Sequence, residues 1–304
     1  MYNHDTYRVY NLPDYIQLCE YLRDDECTKN RFIYRGHSYD RWALESTLSR
    51  ADLVEHEQDI IEDFKLNKPD EYQSNMTSLH LLGKMQHYGY PTRIIDFTEN
   101  PLVALYFACH GNEVDNGRVI LNGNTNISYI DINFIEVLFK LLEKYNYHVH
   151  EKTIHEMDTI IREHSDLPAL NDDVGASKFL DIFYNFGRKG IHSIPMRLSQ
   201  RQKVQKAVAL LFPNNLRHPS KDEIVNLDLA VELTQINWDS RLSRYYLDTS
   251  LYVPGVSHYN FMSIIIPSEV KASILESLAL VGIDKSTLFP ELEYSKELTK
   301  QRFR

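Results

Sequence analysis

The sequence predicts an α+β fold: a mixed, mostly antiparallel sheet core carrying several helices, with a helical insertion at about 133–187. Two observations lead there. Short β-prone runs and amphipathic segments of helical period are interleaved along the chain, without the regular alternation of a doubly wound sheet. No internal repeat or low-complexity linker divides residues 1–304, and that length suffices for a single domain with its own buried core.

Taken in order, Pro13 to Leu22 places Tyr15, Leu18, Cys19 and Leu22 on one helical face, with Asn11 and Pro13 as start signals. Arg31 to Tyr34 reads as a strand ending at Gly36. Leu53, Ile60, Ile61 and Phe64 form the apolar stripe of a helix whose other face is acidic. Leu79, Leu82 and Met85 form another, opened by Thr77 or Ser78 as cap. Arg93 to Phe97 is a strand, and Asn100 followed by Pro101 starts a helix through Ala104, Phe107 and Ala108. Arg118 to Leu121 and Ile127 to Ile130 read as strands, and Asn133 to Tyr145 and His150 to His164 as helices. Ala207 to Phe212 and Met262 to Ile266 are further strands, and Ser268 to Val281 is an amphipathic helix that stops at a Gly282 turn.

Composition narrows the function classes. With 43% hydrophobic and 25% charged residues, the chain is an ordinary globular protein rather than a disordered one. No apolar run approaches the roughly 18 to 20 residues of a membrane span, and the polar N-terminus has no signal-peptide core, so a cytoplasmic protein with no membrane partner is expected. The 3 cysteines are too scattered for a disulfide framework or a thiolate zinc site and are expected as reduced thiols. His148, His150 and His155 lack metal-ligand spacing on a helix, so no metal is expected. Walker, nucleophile-elbow and dinucleotide glycine motifs are absent.

A net charge of −10 argues against a general polyanion binder. One segment departs from it: residues 182–221 contain no Asp or Glu but hold Arg188, Lys189, Arg197, Arg201, Lys203, Lys206, Arg217 and Lys221. Such segregation suits a surface that meets phosphates, as in nucleic acid or a nucleotide, or else an internal match with the acidic stretch from Glu55 to Asp63.

Two polar clusters stand out. Tyr34, Arg35, Gly36 and His37 put an arginine fork at a strand end beside a glycine that permits close approach. Arg35 there suits a phosphate or carboxylate ligand, or an internal partner such as Asp96. The second cluster holds Gln86, His87, Tyr88, Arg93, Asp96, Thr98 and Asn100 between two apolar helices. Burying so many polar groups is costly unless they satisfy one another or line a pocket, although Asp96 and Thr98 also suit a helix cap.

At these residues the sequence resembles the FRG-domain family. Tyr34-Arg35-Gly36 is similar to the (F/Y)-R-G motif for which the family is named, and His87 to Cys109, HYGYPTRIIDFTENPLVALYFAC, is similar to its central pattern with Phe97 for the usual Trp. Arg201 and Gln205 stand where the family tends to have Arg and then Gln-x-Gly-x-Phe, with Ala207 and Ala209 for Gly and Phe. Leu288 to Glu293 is similar to the closing F-P-D-L-D-G, with Glu291 and Glu293 for the two Asp. The resemblance runs from about residue 31 to 295, one FRG-type domain. It implies occurrence in bacteria and their mobile elements, and with it a toxin or anti-phage role.

The order of elements also resembles that of ADP-ribosyltransferases. That likeness implies NAD as substrate, with Arg35 on its pyrophosphate or ribose, the turn Asp96-Phe97-Thr98 shaping a nicotinamide pocket, His87 in the active site, and Glu291 or Glu293 stabilising an oxocarbenium-like transition state. The alternative is a non-enzymatic module in which these residues form a structural network and 182–221 grips nucleic acid or an acidic protein.

Overall fold

A computed structural model describes residues 8–24, 32–122 apart from 43, 45, 52, 54 and 55, then 191–193, 199–211, 234–239, 244–247 and 261–290. Helix α1 (Leu12–Asp24) starts where Asn11 Oδ1 accepts from the Asp14 amide at 2.9 Å. Strand β1 (Ile33–His37) runs through Gly36 instead of ending there. Three helices follow: α2 (Thr47–Arg50), α3 (Glu57–Asn67) and α4 (Ser78–His87), the last capped by the Thr77 hydroxyl, which accepts from the His80 amide at 3.3 Å. Strand β2 (Ile94–Thr98) leads into α5 (Pro101–Cys109), with Asn100 capping and Pro101 at the first helical position as the sequence predicts.

Next come β3 (Gly117–Asn122), β4 (Ile191–Ser193), α6 (Gln200–Val204), β5 (Ala207–Leu211), β6 (Thr234–Asp239), β7 (Arg244–Leu247) and β8 (Phe261–Ile266). The chain then forms α7 (Lys271–Leu280) and α8 (Lys285–Leu288). Residues Ser268–Val270, expected as α-helix, form a 3₁₀ turn before α7. Gly282, with φ of +80°, takes the left-handed conformation that stops α7. The expected strand 127–130, the two helices after it and the insertion at 133–187 lie outside the described residues.

The fold is α+β. The strands form one sheet in the order β4-β5-β2-β1-β3-β8-β6-β7, antiparallel throughout except for the parallel β6/β8 pair. Helices α1, α5 and α7 share a core with Tyr34, Val119, Leu121, Ile264 and Ile266. A second set of buried apolar side chains, including Leu48, Phe64, Leu82 and Met85, comes from α2, α3 and α4. Cys19 and Cys109 are buried free thiols, both pushed up to about 12 by burial, so they stay protonated. No helix among the described residues is long and apolar enough to cross a membrane.

Helix α5 is apolar all round, as befits a buried helix, and lies close on the sheet. A Cβ built on Gly36 would stand 2.0 Å from the Ala104 carbonyl oxygen, and one on Gly117 would stand 2.1 Å from that of Ala108. The approach that Gly36 permits is therefore to α5, which corrects its expected part in ligand binding.

Candidate functional site

Side chains alternate along a strand, so Ile33, Arg35 and His37 share one face of β1 while Tyr34 and Gly36 face α5. Strands β1 and β2 share a single register pair, Tyr34 with Thr98. Arg35 reaches across beyond that pair: Nη1 donates to the main-chain carbonyl of Asp96, and Nε donates to His37 Nε2 at 3.0 Å. The guanidinium thus serves a carbonyl that a continuing ladder would have paired with an amide.

Asp96 is the one exposed position of β2, whose other residues are all buried. Gln86, from the last turn of α4, donates to its Oδ2 at 2.9 Å. Surrounding protein strips enough water from this carboxyl to raise its pKa, against the pull first of Arg35 and then of Arg201. Arg201, exposed on α6, lies over the Phe289 ring with its guanidinium 4.4 Å from the centroid. Gln205 holds the same region together, its Nε2 donating to the Leu288 carbonyl at 3.0 Å and its own carbonyl accepting from Thr98 Oγ1 at 2.6 Å.

His37 is 3% exposed. Burial first, then the charges of Arg35, Arg118 and Arg50, lower its pKa to about 3, so the ring is neutral. A neutral ring is what the bond from Arg35 requires, because Nε2 must accept. His37 therefore orients Arg35 from beneath and is not exposed to a ligand.

The remaining expected site residues divide clearly. Arg93, 3% exposed, forms a buried ion pair with Glu57, which is 2% exposed: Nε donates to Oε1 at 2.7 Å and Nη2 to Oε2. That commitment takes Arg93 out of the expected ligand set. Tyr34 is buried in the core. Thr98 and Asn100 build the β2–α5 turn: Thr98 Oγ1 accepts from the Asn100 amide at 2.9 Å, and Asn100 Oδ1 accepts from Leu102 at 3.0 Å. Tyr88 donates to Glu71 Oε1 at 2.7 Å, and exposed His87 rests edge-on against the Tyr88 ring. In that helix Gln86, not His87, reaches Asp96. Glu291 and Glu293 lie outside the described residues, as do the three spaced histidines.

Of the basic segment, Arg201, Lys203 and Lys206 are described, all exposed. Its expected acidic partner is engaged elsewhere among the described residues: Glu57 with Arg93, Asp59 with His56 and Glu62 with Lys65. Sequence reasoning missed Arg50 and Arg118, whose charges both act on His37. Arg50 ends a helix of 4 residues, too short to show a period, and Arg118 becomes a neighbour only through its register opposite His37.

No curated protein and no solved structure matches the chain. The FRG-domain family model matches residues 30–117, a span that contains Arg35, His37, Gln86 and Asp96 but neither Arg201 nor the late glutamates. The similarity to an FRG domain is thus confined to residues 30–117, the stretch that holds both Arg35 and Asp96.

Proposed function

We propose that this FRG domain is an NAD-consuming enzyme, an ADP-ribosyltransferase or an NAD glycohydrolase, acting as a bacterial toxin or anti-phage effector. One observation carries the reading: the exposed Asp96 carboxylate stands in the electrostatic reach of two guanidinium groups, Arg35, already oriented by its own hydrogen bonds, and Arg201. Breaking an N-glycosidic bond builds positive charge at the anomeric carbon, and a nearby carboxylate stabilises it. A pyrophosphate suits planar guanidinium forks, and a fork fixed before binding loses little entropy on taking its ligand.

In this reading Arg35 and Arg201 hold the pyrophosphate, and Asp96 faces the nicotinamide riboside. Glu291 and Glu293, two and four residues after Phe289 in the chain, are the carboxylates that the resemblance to ADP-ribosyltransferases assigns to that step. Because Asp96 must be ionised to act, activity rises with pH through its raised pKa.

The test is incubation of the purified full chain with NAD, following released nicotinamide and any mass added to protein or nucleic acid. Release is expected, with Asp96→Asn and Arg35→Ala each lowering it by about a hundredfold. Absence of nicotinamide release, together with salt-sensitive nucleic-acid binding lost on charge reversal at Arg201 and Lys203, would establish the non-enzymatic module instead.

A further inference from the structure

Next to Arg35, the loop that follows β1 carries an aromatic corner. Trp42 is 46% exposed, yet its backbone is pinned. Its amide donates to the Tyr39 carbonyl at 3.3 Å, and its carbonyl accepts from Arg118 Nη2. The neighbouring Asp40 amide donates to the Asn116 carbonyl at 2.9 Å. His37 and Tyr39 both meet the indole at steep angles, 69° and 88°, so neither ring lies flat on it. The Arg50 guanidinium lies over the Trp42 ring, 6.0 Å from its centroid, so a base would stack on the opposite face, and the guanidinium charge reaches both Arg35 and His37.

An exposed tryptophan is unremarkable by itself, but one held rigidly among arginines in a chain of net charge −10 is a specific combination. One buried nitrogen at this corner, Arg118 Nε, also lacks a hydrogen-bond partner. A guanidinium Nε is a donor, and a buried donor favours an acceptor oxygen. A flat ring, cationic forks over and beside it and a donor awaiting an acceptor are the requirements of a base joined to a phosphate.

We propose that Trp42 and Arg50 form the subsite for the base and adjoining phosphate of a free nucleotide, the ADP half of the substrate. The base stacks on the indole, and its phosphate bridges Arg50 to Arg35. This subsite rests on the NAD reading given above and specifies which end of the molecule lies where.

The test is calorimetric titration of the full chain with ADP, ribose 5-phosphate and single-stranded oligoadenylate, using the native chain, Trp42→Ala, Arg50→Ala and Arg35→Ala. Emission of Trp42 is followed in parallel in a Trp238→Phe background, because the chain has 2 tryptophans. ADP is expected to quench Trp42 saturably. Trp42→Ala is expected to weaken ADP about tenfold while leaving ribose 5-phosphate unchanged, and Arg50→Ala to weaken both. If ADP binds Trp42→Ala at full strength but loses affinity in Arg35→Ala, the base lies elsewhere and the subsite is overturned while the NAD reading survives. Binding of the oligonucleotide without ADP overturns the free-nucleotide assignment, and no binding of ADP or NAD by the native chain overturns both.

Discussion

Arg35 bonds to the main-chain carbonyl of Asp96, and the Asp96 carboxylate is left to Gln86. The two charged groups meet at the gap between β1 and β2 without closing into a hydrogen-bonded ion pair. Arg35 is therefore held by the fold yet keeps donors to offer, since one guanidinium carries five N–H groups.

This arrangement distinguishes Arg35 from a buried ion-pair partner. Arg35→Ala strips a donor from a carbonyl and from His37, so it should lower stability by about 1–3 kcal/mol. Adding Asp96→Ala should not recover that loss, because the carbonyl remains after the carboxylate is gone. Denaturant unfolding of both singles and the double is the measurement; recovery in the double would show that the carboxylate is the true partner.

Glu57 and Arg93 should behave in the opposite way. Both are buried and doubly bonded to each other, so Arg93→Ala or Glu57→Ala should cost about 3–5 kcal/mol by stranding a charge. Removing both should cost far less than the sum of the singles. Additive losses in a double-mutant cycle would contradict the pairing.

His37 sets a pH dependence. Its folded pKa, about 3, lies below the ordinary value of 6.5. The unfolded chain therefore takes up a proton first as pH falls. The stability tied to neutral His37 is complete above 6.5 and is lost between there and about 3. Melting temperature should fall more steeply from pH 7 to pH 4 in the native protein than in His37→Gln, and parallel curves would refute the assignment.

Gly36 makes a purely steric prediction. A methyl group there meets the Ala104 carbonyl oxygen at 2.0 Å and the Ala108 amide nitrogen at 2.6 Å, so Gly36→Ala should destabilise by about 3 kcal/mol. Trimming Ala104 to Gly should bring no rescue, since the obstacles are backbone atoms. Thermal unfolding of Gly36→Ala and of the double variant decides this.

The elements with strong local signals were legible in the sequence. The apolar stripe of α1, the Thr77 cap of α4 and the Asn100-Pro101 start of α5 each depend on neighbours within a few residues, and each stands where its pattern indicates. The short pieces β4, β6, β7, α2, α6 and α8 escaped because, unlike β5 or β8, they carry no continuous apolar run to mark them, and a helix of 4 or 5 residues cannot display a period.

What the sequence alone determined was the α+β class, the FRG-type motif and the two polar clusters, because these follow from residue type and local spacing. Partner choice was decided only by the tertiary structure. Sequence marks Arg35 and Arg93 alike as arginines beside a strand, but β1 lies open at the gap opposite Asp96, while Arg93 is enclosed by Glu57 of α3. Likewise Gly36 reads locally as a place for a ligand, and only the packing of α5 across β1 shows that a helix backbone fills that space. Hydrogen bonds and contacts between residues far apart in the chain are set by which surfaces can be buried together, and that information belongs to the assembled sheet.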